Sequence, residues 1–170
     1  MRLLITFTCY GSHLPGDPRG SFDHVRNAPT HKPGRLLPPN PALEQYHRHH
    51  LKHDPYFLST AQSRATVRDA VISASAFRAW FLYALHVRTT HVHGVVEAEC
   101  PPSRIFHLWK AYATRSLRSA CLAAPDRIMW THGGNALRLA SPEALQAAIR
   151  YVIEEQGEPM ELYLPDPARR

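Results

Sequence analysis

The chain opens with Leu3, Ile5 and Phe7 alternating against Leu4, Thr6 and Thr8, the period-two pattern of a strand with one buried face. The stretch that follows changes character. Between Gly11 and Thr60 stand Pro15, Pro18, Pro29, Pro33, Pro38, Pro39, Pro41 and Pro55, together with seven histidines. Such a density of breakers excludes long regular structure, a short helix around 42–52 apart. It marks an elaborated insertion, at about 11–58, within a single domain spanning 1–170. Regular patterning then returns. Val67, Ala70, Val71 and Ala74 recur at helical spacing and predict a long helix over 60–78. Residues 80–87 read as a buried strand, Arg88-Thr89-Thr90 as a tight turn, and 91–97 as the antiparallel partner.

After Pro101-Pro102, a stripe of Ile105, Leu108, Trp109, Tyr112, Ala113 and Ser116 predicts a second helix over 103–121. A turn at Gly133-Gly134-Asn135 leads into a short strand at 136–139. The last helix has a defined start: Ser141 as N-cap, Pro142 at the first helical position and Glu143 well placed on the dipole. Its apolar stripe is Leu145, Ala148, Ile149, Val152 and Ile153, and Gly157 terminates it. Leaving the insertion aside, the order is βαββαβ, followed by one more helix. The expected class is therefore α+β, a ferredoxin-like antiparallel sheet with an additional C-terminal helix.

Composition narrows the setting. The formal charge is +6 and the isoelectric point near 9.5, a balance that suits a polyanionic partner through phosphate neutralisation. No apolar run is long enough to span a bilayer, and Met1-Arg2-Leu3-Leu4-Ile5 leads into strand-like sequence without a secretory signal. Neither membrane nor export is expected. Cys9, Cys100 and Cys121 are scattered without metal-ligand spacing, which fits a reducing cytoplasm.

Three features carry candidate chemistry. His91 and His93 flank Val92, so on a strand both imidazoles project to one face, a start on a divalent metal site. The bland alternative is a pair of strand histidines satisfied by water or backbone. Tyr151 lies beside the apolar stripe of the last helix. A phenol with a pKa of about 10 is a poor nucleophile unless metal or basic groups stabilise its oxyanion, and a partly buried helix tyrosine is commonplace. Arg104, Arg115 and Arg118, with His107, line one side of the second helix, and Lys110 lies elsewhere on it. They cradle a DNA backbone or form an ordinary solvated face. Trp109 and Tyr112 fall on the apolar stripe and read as core. In Tyr46-His47-Arg48-His49-His50-Leu51-Lys52-His53, the spacing of His49 and His53 suggests a second metal site, but the surrounding positive charge argues against a bound cation.

In order and spacing, His91-Val92-His93, then Trp109-Lys110-Ala111-Tyr112, then Tyr151-Val152-Ile153-Glu154-Glu155-Gln156-Gly157 resemble the HUH single-tyrosine transposases. These include small insertion-sequence transposases and the REP-associated tyrosine transposases. The opening run from Thr6 to Asp17 is similar to the first strand and following loop of some bacterial members. The resemblance covers most of 2–157, outside the 21–58 portion of the insertion. It implies a metal-dependent endonuclease and strand-transferring transposase that cleaves and rejoins single-stranded DNA, often hairpin-forming, through a 5′-phosphotyrosine. Carried over, His91 and His93 bind Mg2+ or Mn2+ and Tyr151 is the nucleophile.

The third ligand departs from the family pattern, because Glu155 stands where an asparagine or glutamine is usual and Gln156 follows it. Helical geometry favours Glu155, which shares the face of Tyr151. Residue type favours Gln156, since a carboxylate would repel the substrate phosphate. Both remain candidates. The resemblance implies a homodimer with exchanged tyrosine helices or a monomer. A catalytically inactive DNA- or RNA-binding module on the same fold is the alternative, and a hydrolase using water is a third.

Overall fold

The computed structural model describes residues 1–19, 21–22 and 36–166. Most of the middle of the insertion, 23–35, lies outside the described residues. The elements in chain order are β1 (Arg2–Thr8), β2 (Ser21–Phe22), β3 (Leu36–Leu37), α1 (Pro41–His49), α2 (Ala61–Phe77) and β4 (Phe81–Val87). They continue with β5 (His91–Glu97), α3 (Pro102–Ser119), β6 (Asn135–Arg138), α4 (Pro142–Glu154) and β7 (Glu161–Tyr163). The main sheet has five strands in the order β6-β1-β5-β4-β7, and all neighbours are antiparallel. Without β7 this is the ferredoxin-like arrangement of β1-α2-β4-β5-α3-β6, so the expected α+β class holds.

The layers follow from alternation along the strands. Leu3, Ile5 and Phe7 of β1 face the main core with Val92 and Val96 of β5 and are covered by α2 and α3 through Val67, Val71, Ile105, Trp109 and Leu117. The opposite face carries Ala84 and Val95 and is covered by α4 through Leu145, Ala148 and Val152. Gly94 permits a close approach on the first face: a Cβ there would lie 2.9 Å from Cη2 of Trp109. The indole therefore lies against bare backbone beside His93, and its Nε1 donates to Ser75 Oγ at 3.1 Å.

A register shift between Leu82 and Ala84 marks a bulge in β4. The extra residue is Tyr83, and it inverts the alternation of everything after it. Leu82 faces α2 and α3, yet Ala84 and His86 face α4. Periodicity alone would have put His86 with Leu82.

Both ends of the insertion are built into the fold. Leu14, Tyr56 and Leu58 are buried, and the amides of Tyr56 and Leu58 donate to Tyr10 and Thr89 carbonyls at 2.8 and 2.9 Å. The expected short helix forms as α1, capped by Asn40, with no buried residue. It ends at His49 and leaves His53 beyond the helix, so the helical spacing of His49 and His53 is not realised. Among the described residues no helix is long and apolar enough to cross a membrane.

Candidate active site

The antiparallel register sets Thr6 opposite His93 and Thr8 opposite His91 on one side, and His86 opposite His93 on the other. The His91 and His93 rings stand 4.6 Å apart between centroids and are inclined by 77°. Each has its Nδ1 taken by a threonine hydroxyl at 2.8 Å, Thr90 for His91 and Thr6 for His93. With Nδ1 bonded to a hydroxyl, Nε2 of each ring remains to meet a ligand. Burial, assisted by Arg88 and by the pair's own proximity, pushes His91 down to about 4 and His93 to about 3. Both rings are neutral at pH 7, the form that donates a lone pair to a metal.

α4 brings the tyrosine to the same face. Tyr151 is 37% exposed, and its ring stands 5.7 Å from that of His93 at 82°. The carbonyl of Tyr151 accepts from the Glu155 amide and from Nε2 of Gln156, each at 3.3 Å. Helical geometry stops there: Glu155 is the C-cap and Gly157 has φ of +76°, in the left-handed region. Glu155 consequently remains exposed. Gln156 turns back toward the histidines, and its carboxamide acts on His91 and His93 in the sense that favours protonated rings. Of the two candidates for third ligand, the fold places Gln156 at the histidines.

Among the described residues no cluster of three or more His, Cys, Asp or Glu side chains is placed to hold an ion. The donor set here is two imidazoles and an amide oxygen. Neutral rings with Nδ1 engaged by threonine hydroxyls fit a divalent ion, and an amide adds no negative charge to repel a phosphate.

The basic residues of α3 lie elsewhere. Arg104, His107, Arg115 and Arg118 are exposed on the helix that packs on the other face of the sheet. An open groove of about 750 Å³ runs beside them, lined by Phe106, Lys110, Arg115, Arg118, Trp130 and His132 among others. Lys110 departs from the exposed set. Its Nζ turns inward to the carbonyls of Thr131 and Gly133, and burial lowers it to about 8. It fastens the 131–133 loop at the edge of the groove. Trp109 is core as expected. Trp130, which drew no notice in the sequence, packs on Phe7 at 5.2 Å and borders the groove.

His86, Arg19 and Arg88 also bear on the site, and no motif in the sequence marks them. His86 is 0% exposed. Its Nδ1 donates to the Val152 carbonyl at 3.0 Å and its Nε2 accepts from the Met160 amide at 3.1 Å.

No protein-family profile and no curated protein matches this sequence. Among solved structures, the chain is similar to a REP-associated tyrosine transposase bound to a REP hairpin. The TM-score is 0.51 at 13% sequence identity, over 91% of this chain and 65% of that one. At that identity the likeness is one of fold. The chain spans about two thirds of the length of its neighbour's chain.

Proposed function

We propose that this protein cleaves and rejoins single-stranded DNA by transesterification, with Tyr151 as nucleophile. The observation that carries this reading is the convergence of His91, His93, Gln156 and Tyr151 on one face of the sheet, from strand and helix ends far apart in sequence. His91, His93 and Gln156 would hold Mg2+ or Mn2+. The ion, when bound, would polarise a phosphate oxygen and favour the phenolate over the phenol. Tyr151 supplies the oxygen that attacks phosphorus. The phenol gives up its proton, the bond from phosphorus to the 3′ oxygen breaks, and that oxygen leaves as a hydroxyl. A 5′-phosphotyrosine stores the bond energy, so the reverse step rejoins strands without an external energy source.

The fold shared with a transposase bound to a DNA hairpin supports a hairpin-forming substrate. Exposed Arg104, Arg115 and Arg118 on α3 offer a phosphate-binding surface remote from the chemistry. The histidines and the tyrosine helix meet within the single chain, an arrangement that serves a monomer or a homodimer alike. Three free thiols suit a reducing compartment such as the cytoplasm.

The test uses single-stranded oligonucleotides from the DNA flanking the gene, incubated with Mn2+ and resolved on a denaturing gel. A covalent protein–DNA band is expected with the wild type and absent with Tyr151→Phe. Gel-shift binding without any adduct would instead make the protein a nucleic-acid-binding module.

A further inference from the structure

Two arginines, one in the loop after β1 and one at the end of β4, act on the histidine pair through their charge. Arg19 lies in the loop that follows β1, at the near end of the insertion. Its Nε and Nη2 clamp the Asp17 carboxylate at 2.7 and 2.6 Å, its amide donates to the same carboxylate at 2.9 Å, and Nη2 also reaches the Ser12 carbonyl at 3.0 Å. Ser12 Oγ donates to the Thr90 carbonyl at 3.0 Å, and the Thr90 hydroxyl bonds His91. An unbroken run of contacts thus ties the guanidinium to the first histidine. Asp17 is 6% exposed, whereas the Arg19 side chain is 57% exposed. The carboxylate is structural and the guanidinium faces solvent.

Arg88 closes the end of β4. Its amide donates to the His91 carbonyl at 2.9 Å, and Nη1 donates to the Glu158 carbonyl at 3.1 Å, beside Gly157. No carboxylate pairs with it among the described residues. The charges of both arginines are felt at His91, and that of Arg88 at His93 and His86 as well.

A cationic environment around two neutral histidines disfavours any further cation unless an anion comes with it. A buried carboxylate holds the Nε–Nη2 edge of Arg19, with Nη2 also on the Ser12 carbonyl, and so aims the guanidinium with Nη1 left to donate to a phosphate oxygen. We propose that Arg19, oriented by Asp17, and Arg88 grip phosphates of the DNA strand at the histidine site, a role that rests on the proposed DNA-cleaving function for its chemistry but concerns binding alone. The near end of the proline-rich segment is then a working part of the site. Arg19 follows β1 and Arg88 ends β4, the two neighbours of β5, so a DNA strand held by both would pass over His91 and His93 and present its backbone to Tyr151.

The test measures affinity of a fluorescently labelled thymidine 20-mer for the Tyr151→Phe protein by anisotropy, over a range of salt. Arg19→Ala and Arg88→Ala should each weaken binding several-fold and lower the salt slope by about 0.7, the value for one phosphate contact on a single strand. Asp17→Asn is the more discriminating variant. It removes a negative charge, so net charge alone predicts tighter binding, whereas loss of aim predicts weaker binding. Circular dichroism melts confirm that each variant folds, and the Arg88 variant stands independently of the loop. Unchanged affinity and slope in both arginine variants, or tighter binding by Asp17→Asn, would overturn the proposal. The adduct assay with the flanking-DNA oligonucleotides, run beside the binding measurement, separates the two ideas. Weakened binding by Arg19→Ala with no adduct from the wild type sinks the catalytic reading and leaves the phosphate grip standing.

Discussion

The buried ring of His86 donates to the carbonyl of Val152, one residue past Tyr151, across 3.0 Å. That carbonyl belongs to the last turn of α4, where the helix itself offers no partner. The other ring nitrogen accepts from the Met160 amide. One side chain on β4 therefore fixes both the turn carrying the tyrosine and the segment returning to β7. His86→Phe should orphan the buried Val152 carbonyl and the part-buried Met160 amide and cost about 1–3 kcal/mol. Urea unfolding checks this, and a loss below about 0.5 kcal/mol would show that the contacts contribute little.

Gly94 sits between His93 and Val95 with Trp109 pressed on its backbone. A methyl group there must displace the indole or bend the strand. Gly94→Ala should destabilise by about 1–3 kcal/mol, in the range of overpacked cores. A stability within experimental error of the wild type would mean that Trp109 shifts freely, contrary to its 0% exposure and its bond to Ser75.

Acid should unfold the metal-free protein earlier than its carboxylates would. His91 and His93 fall from 6.5 to about 4 and about 3 in the fold. Their depressed values mean that the unfolded chain binds more protons below pH 6.5. Stability is fully present above that value and declines as pH falls toward 4, with a slope of up to about 2.7 kcal/mol per pH unit for two protons. Asp17, held at about 2 by Arg19, takes effect only below its ordinary value of 3.8. Unfolding free energies at pH 7, 6 and 5 in EDTA would settle the matter, and a flat profile over that range would contradict the burial of the two rings.

Gln156 and Glu155 should separate in a Mn2+ titration. Removing the amide that faces both rings, by Gln156→Ala, should weaken Mn2+ binding by about tenfold or more, equivalent to roughly 1.4 kcal/mol. Glu155→Ala, at the exposed cap, should change it less than about threefold. The reverse order, measured by calorimetry, would return the ligand role to Glu155.

Much of the architecture is written in period. The alternation from Leu3 to Thr8 and the apolar stripe from Leu145 to Ile153 both survive in the fold, because one-sided burial leaves a strong sequence trace. Of the residues named from the sequence, His91, His93 and Tyr151 lie side by side in the fold. What was not legible depends on local breaks. The bulge at Tyr83 swings His86 to the site face, and nothing in the run from Phe81 to Val87 announces it. The end of α4 at Glu154, with the positive φ of Gly157, leaves Glu155 exposed at the cap and turns Gln156 back, against simple helical spacing. β7 is three residues beside two prolines, too short to show alternation. Arg19 was hidden in a proline-rich stretch whose tertiary contacts no pattern encodes. Lys110 looked like a surface charge, but unpaired loop carbonyls claimed it.

The most direct measurement is a mass spectrum of the trypsin-digested reaction with a cleavable single-stranded oligonucleotide. Cleavage after Arg150 places Tyr151 at the start of its peptide. We expect that peptide to carry a mass increase equal to the 3′ fragment of the oligonucleotide, attached through its 5′ phosphate. An unmodified peptide alongside free 5′-phosphorylated product would show that water, not Tyr151, attacks the phosphate.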